Sequence, residues 1–455
     1  MQICKAVVIA VVALLFSVTA YAKDHAEGKA YILKNGYKGS MTCEVCHPGT
    51  AKAFLNTVHW KHASRTSRVE NVDPKVEYGM KNRIYSMCNG NDVVSNLKEI
   101  TNTAGKKKFT GCNSCHFGDK INDVGSTGPA AEASIDCLLC HSAKYDFSKR
   151  KTVKLPDGRI KIEKDMSIEA ATNLGRPGTK VCMICHESAG GGVLIKRGLT
   201  MTPDVDVHAA KGMDCIDCHK PIKHKFPTGL DPNNWANDGL IMTCTTGKCH
   251  TEKPHKDAEL NSHTAKIACQ TCHITTTGGS FAKDFTKWVK LSNGFWEPAT
   301  LKKEVNETVP VYAWFNGTVA NQPHFIGPKG NRADKNSKLY PFKIFQGKAF
   351  YNKLNGQLLT MDFGPPMSNG DTLAGVASAS KIMGIKQYLP TPGWQTIYFG
   401  SNHHVSPKGK SLSCANCHAP NGVLNYKQLG YTDKEISRLT VPDIYFEKVL
   451  KQQED

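Results

Sequence analysis

Eight times in this chain of 455 residues, two cysteines run directly into a histidine. Seven copies have the spacing C-x-x-C-H: Cys43/Cys46-His47, Cys112/Cys115-His116, Cys137/Cys140-His141, Cys182/Cys185-His186, Cys215/Cys218-His219, Cys269/Cys272-His273 and Cys414/Cys417-His418. The eighth is stretched: Cys244-Thr-Thr-Gly-Lys-Cys249-His250 places four residues between the thiols. Each cysteine can add to one vinyl group of a porphyrin, and the adjacent imidazole then reaches the iron from the same face. The motifs use 16 of the 18 cysteines. A disulfide framework does not require a histidine after every second cysteine, and zinc would need pairs of motifs to converge. The pattern implies eight covalently bound haem c groups.

Eight irons have eight further faces. Ten histidines lie outside the motifs: His25, His59, His62, His208, His224, His255, His263, His324, His403 and His404. Low-potential electron-transfer haems are closed by two imidazoles, whereas a catalytic haem keeps one face open. The distal ligands expected first are His59, His208, His224, His255, His263 and His403. His324 and His404 come next, and His25, near the start of the mature chain, reads as solvated. The arithmetic permits eight closed haems, or seven closed and one open.

These ligands must be carried by a chain with little room for a conventional core. The first 22 residues read as a cleaved secretory signal, with Lys5, the apolar run Ala6 to Val18 and the cleavage site Ala20-Tyr21-Ala22. The protein is therefore expected in the periplasm. That run is too short to span a bilayer, and the mature chain has no transmembrane stretch. Four zones follow: 23–110 with the first haem, 111–273 with six haems, a haem-free region 274–413 wrapped on them, and 414–455 with the last haem and a C-terminal helix. The fold class expected is mainly α with few short strands and long loops, a multihaem cytochrome c fold organised around eight haems. The net charge of +18 balances haem propionates, favours a small anionic substrate and does not indicate nucleic acid. A structural calcium is a further expectation.

Several stretches resemble the octahaem tetrathionate reductase family. They are Val58-His59-Trp60, Ser86-Met-Cys88-Asn, Asp136-Cys-Leu-Leu-Cys-His141, and Cys182-Met-Ile-Cys-His-Glu-Ser-Ala-Gly-Gly-Gly192. Asp206-Val-His208, Cys218-His-Lys-Pro-Ile-Lys-His224, Asn402-His403-His404-Val405, Cys414 to His418 and Leu424 to Gly430 fit the same pattern. The family is related to hydroxylamine oxidoreductase and pentahaem nitrite reductase. The resemblance implies a periplasmic reductase that passes electrons along a haem chain to a small sulfur or nitrogen oxyanion, such as tetrathionate, nitrite or hydroxylamine. Its electrons would come from a periplasmic or membrane-bound donor protein.

The resemblance also singles out the second haem, Cys112 to His116, and implies a lysine axial ligand for it. Within Lys144-Tyr-Asp-Phe-Ser-Lys149-Arg-Lys151 that role falls to Lys149, with Lys144 as the alternative. Asp146 would orient the lysine or a water. His62 would donate protons, or serve as a spare distal ligand. One departure stands out, because no cysteine follows Trp60 and Cys88 is the only unpaired thiol of the mature chain. Sulfur chemistry loses its soft attacking group. Two alternatives therefore stay open: a pure electron-transfer conduit with every haem bis-histidine, and a hydroxylamine or hydrazine oxidoreductase.

Overall fold

The computed structural model describes residues 25–79, 99–109, 116–119, 125–186, 201–279, 281–303 and 307–441. The signal segment, Cys88, Cys112, Cys115 and the Gly190 to Gly192 run lie outside them. The chain forms two compact units. One comprises residues 25–52, 117–119 and 127–177; the other holds the remaining described residues.

In the smaller unit, the helices Ala26–Asn35 and Ile168–Thr172 pack around the first and third haem motifs. Ser167 caps the second helix by accepting from the Ala170 N–H, leaving Ala170 and Ala171 fully buried. Ile32, Leu138, Leu139 and Tyr145 complete this core. Small alanines let the backbone of Leu138–His141 approach, and Ser142 Oγ donates to the Ala170 carbonyl at 2.7 Å. The third motif is thereby fixed to the helix behind it.

The larger unit contains a seven-stranded sheet where short strands and long loops are expected. Its order is Val319–Gln322, Phe325–Pro328, Pro390–Gly400, Lys338–Asn352, Phe281–Lys290 and Trp296–Lys303, with Val311–Phe315 also pairing the 338–352 strand. Beside the many short helices, this sheet makes the fold less helical than expected. The reason lies in Lys338–Asn352, which is buried almost throughout rather than on alternate residues. A strand covered on both faces carries no period-two signal, so the sequence reads as irregular.

The sheet and the segment that follows its 390–400 strand hold the seventh motif through hydrogen bonds. The Ala268 N–H donates to Leu339 O at 3.0 Å, and Thr271 Oγ1 donates to the same carbonyl at 2.7 Å. Ser406 N–H donates to His273 O at 2.7 Å and Leu412 N–H to Cys272 O at 2.9 Å. Behind Ala268, Phe342 is fully buried and meets Phe315 and Tyr398 edge-on, with centroids 5.8 and 5.7 Å away. Among the described residues no helix is long and apolar enough to cross a membrane.

Replacing Phe342 by Ala should cost about 3–5 kcal/mol by leaving a cavity against the seventh motif. Denaturant unfolding followed by intrinsic fluorescence measures this. A loss below about 1 kcal/mol would mean the sheet does not rest on this contact.

Candidate functional site

The described C-x-x-C-H motifs are short helical turns. The histidine N–H closes onto the first cysteine carbonyl, at 2.9 Å for His47 on Cys43, 3.1 Å for His141 on Cys137 and 2.8 Å for His219 on Cys215. Residues three apart on a turn face the same way, so both thiols can meet one porphyrin edge. The stretched motif reaches the same result differently. Lys248 takes a left-handed conformation (φ 58°), and the His250 N–H bonds Cys244 O at 3.3 Å across the longer turn.

Seven motif histidines each face one histidine from elsewhere in the chain. The pairs are His25–His47, His59–His186, His62–His116, His208–His250, His219–His403, His255–His273 and His263–His418. Their ring centroids are 6.1–6.4 Å apart, whereas the interplanar angle runs from 5° to 78°. Stacking would couple angle to separation; here the separation alone is constant. Two imidazole–metal bonds of about 2 Å, with each ring centre about 1.1 Å behind its nitrogen, set centroids about 6.2 Å apart. The rings therefore fit an iron between them.

The second nitrogens are also placed for this role. His141, His219 and His418 point Nδ1 at the carbonyls of Gly175, Pro227 and Leu439, at 3.3, 2.7 and 2.8 Å. A donor at Nδ1 leaves Nε2 with its lone pair for a metal. Burial favours the neutral ring at His62, which is pushed down to about 3, first by desolvation and then by His116 and His59. Burial likewise lowers His59, against an opposing influence from Asp238.

Neighbouring motifs touch through their cysteines. Cys43 hydrogen-bonds Cys137, Cys182 bonds Cys215, and Cys244 bonds Cys269. The first motif thus lies against the third, the fourth against the fifth, and the sixth against the seventh. Among the described cysteines no disulfide forms.

The two thiols of the first motif differ in exposure. Cys46 is exposed, within the exposed stretch 45–49, whereas Cys43 in the same motif is half-buried against Cys137. Cys182 and Cys185 are both half-buried in Thr179–His186, and Cys182 lies against Cys215 of the fifth motif. Cys46 and Cys185 keep the spacing that attachment needs.

His25, read from sequence as solvated, stands opposite His47; His62, read as a proton donor or spare ligand, stands opposite His116. His59, His208, His255, His263 and His403 each oppose a motif histidine, a pairing that spacing along the chain does not reveal. His224 packs edge-on against Phe54 at 5.7 Å. His324 stacks on Tyr351 at 4.0 Å and bonds the Trp394 carbonyl at 2.8 Å. His404 is buried, with φ at 68°.

Lys149, which the resemblance places on the second iron, lies in the smaller unit, and its Nζ donates to Asp165 Oδ1 at 2.9 Å. That bond raises its pKa, so the amine stays protonated. Asp146 caps its own turn, accepting from the Ser148 N–H and Oγ. Beside the third motif, Tyr145 and Arg150 both donate to the buried Asp136, at 2.5 and 2.7 Å. Burial pushes Asp136 up, and Arg150 works against it. Asp165 had no sequence signal. Burial pushes its carboxyl up, but hydrogen bonds from the Asp146 N–H, Lys149 and Ser167 hold it down at about 2. No three His, Cys, Asp or Glu side chains among the described residues cluster to hold a free ion, so the expected calcium gains no site from them.

A model of the bacterial cytochrome c family matches residues 300–421, most of the sheet and the last motif. An uncharacterized protein of Archaeoglobus fulgidus is 28% identical over 242 residues, 45% of this chain and 80% of that protein. The crystal structure of an octaheme cytochrome c from Shewanella oneidensis is similar with a TM-score of 0.64 at 22% identity, over 91% of this chain and 99% of that one. The chain has the fold of a multihaem c-type cytochrome.

Two outcomes follow. His25→Met should change the axial field of one haem and leave the others untouched, as read by low-temperature EPR; an unaltered spectrum would return His25 to solvent. Asp165 is depressed in the folded state, so its stabilisation is complete above about pH 4 and lost as pH falls towards about 2. The stability gap between wild type and Asp165→Asn should therefore close over that window in unfolding measured at stepped pH. A gap independent of pH would contradict the assignment.

Proposed function

We propose that this protein is an octahaem c-type cytochrome whose work is electron transfer, with paired imidazoles closing its haems. The observation that carries this reading is the seven opposed histidine pairs at one shared separation. Haem would be held by Cys43 and Cys46, Cys112 and Cys115, Cys137 and Cys140, Cys182 and Cys185, Cys215 and Cys218, Cys244 and Cys249, Cys269 and Cys272, and Cys414 and Cys417. When bound, it supplies one-electron redox chemistry, with its potential set by axial ligands and surroundings. The chain's part is to place imidazoles in opposed pairs, to anchor Nδ1 of His141, His219 and His418 so that Nε2 is free for a metal, and to set neighbouring motifs against each other. Haem attachment and the signal-like first residues support export to the periplasm.

A reductase centred on the second haem has less support. His62 stands where an open face would be needed, and a protonated Lys149 has no lone pair to offer iron. What favours a reductase is a different place, the third motif, where Tyr145, Asp136 and Arg150 form a buried polar cluster. There Tyr145 and Arg150 already bind the Asp136 carboxylate, so a reductase role would need them to exchange it for a small anion. Tetrathionate, nitrite and hydroxylamine are the substrates to try.

The test combines spectroscopy with turnover. Cyanide, nitrite and hydroxylamine should leave the signals of the seven paired haems unchanged, and tetrathionate should not reoxidise the reduced protein catalytically. Lys149→Met should be spectroscopically indistinguishable from wild type. A haem that binds cyanide and loses its signature in Lys149→Met would restore the lysine-ligated reductase.

A further inference from the structure

His59 and His62 share one helical turn, Val58–Lys61 closed by His62, yet they face different motif histidines. Three residues apart, they leave the turn on one side, His59 toward His186 and His62 toward His116. Any tilt of this turn moves both imidazoles together. What fixes it is spread over the larger unit. Thr57 caps the start, the Trp60 indole N–H donates to Ser126 O at 2.8 Å, and Lys61 pairs with Glu77 at 3.2 Å. The backbone of Gly79 runs so close to the His62 carbonyl that a Cβ there would collide with it.

One further group acts on both sides of His59. Asp238 Oδ1 accepts the Val58 N–H at 2.9 Å, the first residue of the turn, across 180 positions of sequence. Its Oδ2 accepts the Phe226 N–H at 3.1 Å. The Phe226 ring in turn meets the His59 ring edge-on, with centroids 4.9 Å apart. A single carboxylate therefore ties the backbone that carries His59 to the backbone of the aromatic ring packed against it. The 226–242 segment is itself closed by Thr228 N–H to Leu240 O at 2.8 Å and Met242 N–H to Thr228 O at 2.9 Å. The Asn237 N–H donates to Ser64 Oγ at 2.9 Å, just past the turn. Hydrogen bonds to a charged acceptor are about twice as strong as neutral ones, which suits a clamp on a four-residue helix that cannot hold itself.

We propose that Asp238 is a positioning residue for two haem sites at once, holding His59 and His62 in register through the shared Val58–His62 turn. It rests on the reading that these histidines are axial ligands. Asp238 touches neither ring in the role proposed; it acts through Val58 and Phe226. The consequence is a linkage: the second and fourth haems should respond together to a change at position 238, while the others do not.

The experiment compares EPR g-values and potentiometric titrations of the haem-loaded protein in four variants. His59→Met and His62→Met serve as references, because exchanging an imidazole for a thioether raises a haem potential and identifies the signal each residue controls. Asp238→Ala removes both acceptors and should shift the same two signals, leaving the rest in place. Asp238→Asn keeps an acceptor for Val58 but gives Phe226 an amide it cannot use. It should shift the His59-linked signal and leave the His62-linked signal closer to wild type. If the histidine variants alter no low-spin signal, the axial-ligand reading itself fails. If they do, and Asp238→Ala leaves their signals unmoved or perturbs every haem equally, the positioning role is overturned. Should Asp238→Ala fail to load haem, Asp238→Asn decides by the same criterion.

Discussion

An imidazole pair held 6.1–6.4 Å apart leaves room for one metal ion and for no side chain, and much of this chain's long-range structure keeps seven such pairs at that separation. Neither ring can set the distance alone. A motif histidine rides on a turn of about one helical repeat, too short to be stable by itself. Its partner comes from a separate segment, as His403 does for His219. The fold is therefore a set of tethers between remote backbones. Such tethers are seen where Ala268 and Thr271 reach Leu339, and where Ser406 and Leu412 reach the seventh motif.

This also explains the division of labour between haem-dense and haem-free sequence. Turns that expose thiols and imidazoles bury little apolar surface of their own, as at the exposed Cys46, Cys249 and Cys414. The sheet supplies what they lack: Phe342, Phe345 and Ile397 are almost wholly buried, and Leu339 is bonded to the seventh-motif segment. Polar anchors finish the work where the sheet does not reach. In the smaller unit Asp136 holds Tyr145 and Arg150, and Asp165 holds Lys149. In the larger unit Asp238 holds the turn of His59 and His62.

The attachment chemistry was plain in the sequence because it is local: two thiols and a histidine within one turn. Even the stretched copy could be read, since His250 directly follows Cys249. Which thiol of a turn meets the next motif was not legible, because Cys43 and Cys46, or Cys182 and Cys185, differ only in what packs beside them. The distal partners were legible only as a pool of histidines. Nothing near His25 says that its ring meets His47, and nothing near His62 separates a proton donor from a ligand; both answers depend on long-range packing. Lys149 shows the opposite failure. A basic run invited a ligand reading by resemblance, whereas the decisive residue, Asp165, lies sixteen positions on with no motif around it. The sheet was missed because its longest strand is covered on both faces and so carries no alternation to read.

The central claim is that paired imidazoles close these haems. Near-infrared magnetic circular dichroism of the oxidised, fully loaded protein tests it most directly, because the ligand-to-metal transition there distinguishes two imidazoles from imidazole with amine, thioether or an open site. With haem quantified per chain, the account predicts eight haems and intensity for at least seven bis-imidazole centres. Fewer than seven such centres, or a lysine-ligated signature assigned by mutation to the second motif, would contradict it.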